Sequence, residues 1–177
     1  MKAATVTLLL AVAFPLTAAS QVAQPTAPSR AEVIAAAKDI MQAARFATLI
    51  TIGEDGQPEA RVVDPFLPEA DVTVWMATIR LTRKVGQIRR DPRVTLLYFN
   101  AARAEYVTVL GTATLVTDAA EKASHWKEEW ANYFTGGPGG EDYVLIRVRP
   151  TRLEVVSPGR GLAPDPSTWR PIMVDMR

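Results

Sequence analysis

The sequence contains no cysteine and a single histidine, His125, among its 177 residues. The lack of cysteine excludes disulfides, thiolate nucleophiles, sulfur-ligated metal sites and lipid attachment through a thiol. A single imidazole excludes a metal centre built from several histidines, and any Ser-His-Asp site would have to use that one ring. Charged residues lie on both sides of His125 in the sequence, so we expect it to face solvent.

An excess of one charge is also lacking, because 20 lysines and arginines stand against 19 acidic residues, for a net charge of +1. This balance provides no general attraction to nucleic acid or to anionic lipid. We therefore expect no nucleic-acid partner, and any site for an anion must be local.

The apolar run near the start, residues 3–14, is too short to favour a membrane span. It follows the positive start Met1-Lys2 and precedes small residues suited to cleavage, which is typical of an export signal. We predict a signal peptide over residues 1–20, a disordered linker over 21–29 and one domain over 30–177. The protein is then expected to be exported, periplasmic or secreted, with no stable membrane span after cleavage. A retained interfacial anchor is the alternative.

Hydrophobic periodicity changes several times along the domain. A capping box of Ser29 and Glu32 begins a helix that is predicted to run to about residue 44. Asp55-Gly56 predicts a hairpin between the first two strands. A second helix is predicted over residues 82–90, and a third runs from a capping box at Asp118 toward Phe134 with Trp126 and Trp130 packing on one face. The predicted strands are 46–52, 59–66, 72–78, 93–99, 105–116, 143–148 and 152–156, with a turn at Pro150 between the last two.

The helices are inserted between strands without β-α-β alternation, which argues against a doubly wound parallel sheet. The order favours a mainly β fold, an antiparallel sheet closed into a β-barrel with flanking helices over its ends. The chain has length for one such domain.

The segment Thr82-Arg83-Lys84 carries the clearest site pattern. Thr82 is suited to cap a helix whose amino end attracts an anion, and the two basic residues add full charges. The hydroxyl of Thr78 lies just upstream. A terminal phosphate needs such donors, but the same composition is common on solvated helix surfaces, and composition alone favours that second interpretation.

Two further positions are candidates. Arg61, followed by Val62 and Val63, either points into a barrel cleft or is an ordinary surface charge on a strand. Trp75 lies at the end of the third strand near Thr78, where an aromatic ring could wall a pocket for a flat ligand.

These segments, in this order, resemble the pyridoxamine 5′-phosphate oxidase-like family of FMN-binding split barrels. The resemblance covers about residues 31–156, and the helix with Trp126 and Trp130 followed by Gly136-Gly137-Pro138 is most similar to the general stress protein branch. The matching runs are residues 61–63, 75–78, 82–85, 88–94 and 106–113.

The resemblance implies that FMN is the cofactor, with FAD, a deazaflavin or haem as alternatives. It implies that Arg61, Val62 and Val63 run along the flavin, and that Thr78, Arg83 and Lys84 meet its phosphate. It also implies a homodimer with a cofactor cleft between the subunits, in which Trp169 would reach the partner's site.

The resemblance further implies an FMN-dependent oxidoreductase. Two departures argue against a true pyridoxamine phosphate oxidase: Phe66 stands where that enzyme has a lysine, and its substrate-binding Arg-His pair has no counterpart. The alternatives are a non-catalytic binding or stress protein that uses the same cleft for flavin, deazaflavin or haem, and a structural dimer with an empty cleft. The sequence indicates no catalytic residue.

Overall fold

The structure, a computed structural model, describes residues 27–177. The predicted signal peptide and residues 21–26 of the predicted linker lie outside the described residues. Within residues 27–177, no helix combines the length and apolar character needed to cross a membrane.

Strands dominate the described chain; of its three helices, one precedes the strands and two are set between them. The helices are α1 (Arg30–Ala44), α2 (Arg83–Arg90) and α3 (Ala119–Ser124). The strands are β1 (Ala47–Ile52), β2 (Pro58–Val63), β3 (Val74–Ile79), β4 (Arg93–Asn100), β5 (Glu105–Val116), β6 (Tyr143–Val156) and β7 (Ile172–Asp175). Short 3-10 turns occupy Glu128–Asn132, Gly137–Gly139 and Pro158–Arg160.

The strands form one antiparallel sheet in the order β2-β1-β4-β5-β6-β3, and β7 pairs with the second half of β6. The sheet curls into a half-barrel, so its edge strands β2 and β3 approach each other. They touch just beyond β2, where the Phe66 amide donates to the Trp75 carbonyl at 2.8 Å. Elsewhere along this edge, α2 faces β2 across a split. The predicted antiparallel barrel with flanking helices is confirmed.

The main core lies between the inner face of this sheet and α1. The predicted capping box is present, because Ser29 Oγ accepts from the Glu32 amide and Glu32 Oε2 accepts from the Ser29 amide. One face of α1 is then buried against β4 and β5, including Ile40, which has no exposed surface. Full burial of such a side chain contributes about 1.5–3 kcal/mol, so this helix is held mainly by packing.

The hairpin predicted at Asp55-Gly56 joins β1 to β2. Gly56 has a φ of +84°, a conformation that glycine adopts without steric cost, and the Gly53 amide closes the turn on the Gln57 carbonyl at 2.7 Å. The hairpin fixes which β2 side chains face the split.

The prediction of two final strands with a turn at Pro150 is wrong. Tyr143–Val156 is one strand, and a register shift leaves Thr151 as an extra residue at a bulge. Proline fits such a bulge because its missing N–H costs no ladder hydrogen bond there. Opposite it, a Cβ on Gly111 would lie only 2.4 Å from the Arg149 carbonyl oxygen, so the close approach requires glycine. The seventh strand is instead β7, in the C-terminal tail.

The predicted third helix is also too long. Asp118 accepts from the Glu121 amide at 2.9 Å, as expected for a cap, but α3 ends at Ser124. The chain then follows irregular turns that lay aromatic rings on the outer face of β3 and β6, because burying those rings outweighs helix propensity. The predicted packing of Trp126 and Trp130 is confirmed: both join the buried cluster around Trp75, Phe134, Tyr143 and Leu145.

The prediction that His125 faces solvent is wrong for the same reason. Because α3 ends one residue earlier, the imidazole turns back toward the sheet and stacks on Trp75, with 4.0 Å between ring centroids and 27° between planes. Its side chain is only 16% exposed. The single histidine therefore belongs to the aromatic packing of the outer face.

Candidate anion-binding site

The site lies in the split, where β2 faces α2. Arg61 pairs with the buried Leu49 of β1, so both side chains point to the inner side of the sheet. Glu59 and Val63 share this side because strand residues alternate. Val62 points the other way and is 71% exposed. Of the two interpretations of Arg61, the structure supports the one in which its side chain points into the cleft.

Arg61 is held mainly by neutral partners and, at 3.4 Å, by the carboxylate of Glu59. It donates to Thr51 Oγ1 at 2.5 Å and to Gln87 Oε1 of α2 at 3.0 Å. Burial lowers the pKa of the Arg61 guanidinium, Glu59 opposes this shift, and the charge of Arg83 adds to it. The two shorter hydrogen bonds fix the direction of the guanidinium but supply no opposing charge, which comes from Glu59 alone among its contacts in the described chain.

Lys84 is the second cation of the site and is half-buried. Its ammonium donates to Thr78 Oγ1 at 2.8 Å, and that hydroxyl lies 3.1 Å from Thr82 Oγ1. Desolvation and, less strongly, the charge of Arg61 lower the pKa of Lys84. In the part of the chain that the structure describes, no carboxylate lies within 4.0 Å of this ammonium. A half-buried positive charge is thus left with a hydroxyl as its polar partner.

Thr82 occupies the N-cap position of α2 with extended backbone, as predicted, but it does not cap the helix with its side chain. Its hydroxyl donates instead to the Ile79 carbonyl at 2.9 Å. The first turn of α2 therefore has no side-chain acceptor, and its amides remain suited to an anion.

Arg83 completes the group of cations from the solvent side. Its side chain is 81% exposed and forms an ion pair with Glu59, with 3.0 Å between Nη1 and Oε2. Arg83, Thr82 and Glu59 line an open cavity of about 690 Å³ over α2. Arg61, Thr78 and Lys84 lie beside this cavity but are more buried.

Two predicted residues lie apart from this group. Trp75 is three positions from Thr78 on β3, so its ring is on the opposite face of the sheet, where its Nε1 donates to Glu69 at 2.9 Å. Trp169 lies in the C-terminal tail with a φ of +55° and is 77% exposed. Its predicted role in a partner's site stays a prediction.

Sequence reasoning missed three polar residues of the site: Thr51, Glu59 and Gln87. Strand alternation could have indicated Glu59, because residues two positions apart on a strand share a face and Glu59 stands two positions before Arg61. Gln87 follows Lys84 by three positions on α2, and a polar side chain on the buried face of a helix indicates a polar partner inside.

The sequence from residue 33 to residue 157 matches the family model described as pyridoxamine 5′-phosphate oxidase. The chain belongs to this family. The matched segment contains β1 to β6 and the residues of the split, and ends just before the C-terminal tail.

Solved structures share the fold. A protein related to general stress protein 26 from Clostridium acetobutylicum is 16% identical with a TM-score of 0.66, covering 81% of this chain and 93% of that one. General stress protein 26 from Bacillus anthracis is 22% identical with a TM-score of 0.62, covering 78% and 95%. A pyridoxamine 5′-phosphate oxidase-related, FMN-binding protein from Nostoc punctiforme is 18% identical with a TM-score of 0.53, covering 76% and 87%. A comparison with curated proteins finds no match.

The lowered pKa of Lys84 predicts a specific effect on stability. The folded protein holds this proton less tightly than the unfolded chain, so the charged lysine costs stability at neutral pH, and stability rises as pH increases through the lowered pKa toward 10.5. We expect Lys84→Met to leave the melting temperature at pH 7 unchanged or higher and to remove part of this rise.

Unfolding curves between pH 7 and pH 10.5 measure the effect, with Lys38→Met on α1 as the matched control. A variant that melts well below the wild type at pH 7 and keeps the same pH dependence would show that Lys84 stabilises the ligand-free fold.

Proposed function

We propose that the split binds FMN through its phosphate. The observation that carries this proposal is the half-buried Lys84 ammonium, which has a threonine hydroxyl but no carboxylate as its partner in the described chain. Two guanidiniums, Arg61 and Arg83, lie in the same split and share one carboxylate. A phosphate monoester carries a charge of about −1.5 to −2 at pH 7 and would offset this excess.

The donor set fits a phosphate group in kind as well as in charge. Arg61, Arg83 and Lys84 supply charged N–H donors, and the hydroxyls of Thr78 and Thr82 can each donate once their present contacts are exchanged. The backbone of Val62 and Val63, which follow Arg61 on β2, would lie along the flavin. Family membership supports this assignment, as does the FMN-binding neighbour from Nostoc punctiforme.

We further propose an FMN-dependent oxidoreductase that is not a pyridoxamine phosphate oxidase. Bound flavin would supply hydride or electron transfer, while the chain supplies binding and orientation. Phe66, which replaces the lysine of that enzyme, packs edge-on against Trp130 at 5.4 Å and beneath the Lys127 ammonium at 4.7 Å. It belongs to the aromatic packing and offers no charge to a substrate. Oxidation of NADPH by the FMN-loaded protein tests this activity, and a lack of turnover with every electron donor would favour a flavin carrier.

The phosphate assignment predicts the behaviour of a double variant. Arg83→Ala combined with Lys84→Ala should weaken FMN binding at least about a hundredfold, because hydrogen bonds to charged groups contribute about 1.5–3 kcal/mol each. Binding of riboflavin, which lacks the phosphate, should change little. Flavin fluorescence titration measures both affinities.

A matched control removes two charges from the other end of the same helix: Arg89→Ala with Arg90→Ala. Arg89 lines the same cavity, but Arg89 and Arg90 stand five and six residues beyond Lys84 on α2, so this control should weaken FMN binding clearly less than the Arg83/Lys84 variant does. Equal affinity of the wild type and the Arg83/Lys84 variant would refute the phosphate assignment, and a wild type that binds no FMN would refute the flavin proposal as a whole.

We propose that the protein is a homodimer that uses the outer face of β2, β1, β4 and β5. Strand alternation places only uncharged residues in the middle of this face. These are Thr48, Ile50, Ala60, Val62, Thr95, Leu97, Phe99, Tyr106, Thr108 and Leu110. An Arg152–Glu154 ion pair on β6, 2.9 Å long, borders it. A continuous uncharged surface, largely apolar and with a charged rim, is typical of a protein interface.

The dimer proposal predicts that Leu97→Arg is monomeric. Leu97 lies between Thr48 and Thr108 on neighbouring strands, so a charge there would be buried unpaired at a cost of about 3–5 kcal/mol, which weakens association at least about a hundredfold. Light scattering after size-exclusion chromatography measures the mass. Tyr133→Arg, at a side chain 70% exposed outside this face, is the control. A monomeric wild type would contradict the proposal.

Export and the role of Trp169 are also proposals. The leader pattern supports export, and determination of the amino terminus of protein recovered from cell fractions tests the cleavage. The exposure of the Trp169 ring, 77%, leaves it free to contact a second subunit.

A further inference from the structure

One carboxylate lies among the cations of the split. Glu59 Oε2 is 3.0 Å from Arg83 Nη1 and 3.4 Å from Arg61 Nη2, and the Glu59 side chain is 27% exposed. Glu59 belongs to β2 and Arg83 to α2, so their ion pair crosses the split that the FMN proposal assigns to the cofactor.

We propose that Glu59 is an internal anion that occupies Arg61 and Arg83 in the ligand-free protein and competes with a bound phosphate. The inference rests on the proposed phosphate site. A carboxylate and a phosphate oxygen make the same kind of charge-assisted hydrogen bond to a guanidinium, so both need the same N–H groups. The phosphate brings more charge and three acceptor oxygens, and it can therefore displace the carboxylate.

The position of Glu59 makes it suited to this role. Because it stands two residues from Arg61 on one face of a strand that is held by the β1–β2 hairpin, its backbone cannot move away from the site. Its partial exposure allows the side chain to turn toward solvent when it is displaced. The carboxylate thus offsets the mutual repulsion of the cations without a ligand and lowers the affinity for one.

Other acids at the cavity do not have this geometry. Glu54 is 94% exposed and lies 3.7 Å from Arg90, at the far end of α2. Asp55 accepts from the Gln57 amide at 3.0 Å and holds the hairpin turn. Among the described residues, Glu59 is the acid within 4.0 Å of Arg61 and Arg83.

The test is Glu59→Gln, which keeps the shape of the side chain and removes its charge. Inorganic phosphate and FMN should bind about fivefold more tightly to the variant, because a partly exposed ion pair no longer has to be broken. Riboflavin affinity should not change. The rise in melting temperature on addition of phosphate should be larger in the variant than in the wild type, which gives a readout independent of any flavin. Glu54→Gln, on the rim of the same cavity, should match the wild type in both assays.

The outcomes separate this inference from the proposed function. If the wild type binds FMN and Glu59→Gln binds FMN and phosphate equally or more weakly, the competition is refuted while the cofactor site stands, and Glu59 is then a positioning residue for the arginines. If neither protein binds FMN but phosphate binds the variant more tightly, the competition is supported and the flavin proposal fails. If neither protein binds either compound, both are refuted.

Discussion

Three positive charges converge in the split between β2 and α2, and the rest of the structure keeps them there. Arg61 and Lys84 are both partly withdrawn from solvent, and burial lowers the pKa of each, so a charged form at these positions costs free energy. Such a concentration of charge is not expected from stability alone. It is expected where an anion completes the site, because functional sites are commonly less stable than the scaffold around them.

The residues that stabilise the fold lie apart from this site. The inner face of the sheet is closed by α1, whose buried side contributes aliphatic side chains to the core. On the outer face, the aromatic cluster fixes β3, since Trp75 stacks on His125 and donates to Glu69. Thr78 lies three residues further along the same strand, so the cluster positions a site residue without touching the site. The ring of Trp75 therefore packs in the outer-face cluster and lies apart from the site.

Much of the fold could be predicted from local patterns. The capping box at Ser29, the glycine turn at Gly56 and the change from helical to strand periodicity each depend on neighbouring residues, and the structure has all three. The predictions were wrong where contacts between residues distant in sequence determine the local structure. The end of α3 and the bulge at Pro150 depend on the strands that pack against these segments. The local sequence pattern does not indicate which strands those are.

The candidate site was predictable in part, but not from local patterns alone, because composition favoured a solvated surface. The family resemblance implied Arg61, Thr78, Arg83 and Lys84, and the structure brings them together in the split. The direction of Trp75 was not recognised because its distance from Thr78 is odd, which strand alternation turns into opposite faces. Glu59 was missed because an acidic residue beside a phosphate site contradicts simple charge matching. Its contacts with two arginines become visible only when β2 and α2 are folded against each other.

The central claim, that the split binds the phosphate of FMN, is tested most directly by ³¹P nuclear magnetic resonance of FMN with the purified protein across pH 5 to 8. The second pKa of a free phosphate monoester is about 6. If the split binds the phosphate, the phosphorus resonance should be shifted from that of free FMN. The bound phosphate should stay dianionic well below pH 6, because Arg61, Arg83 and Lys84 favour that form. A phosphorus resonance with the position and titration of free FMN, whether or not the flavin ring is bound, would contradict the account.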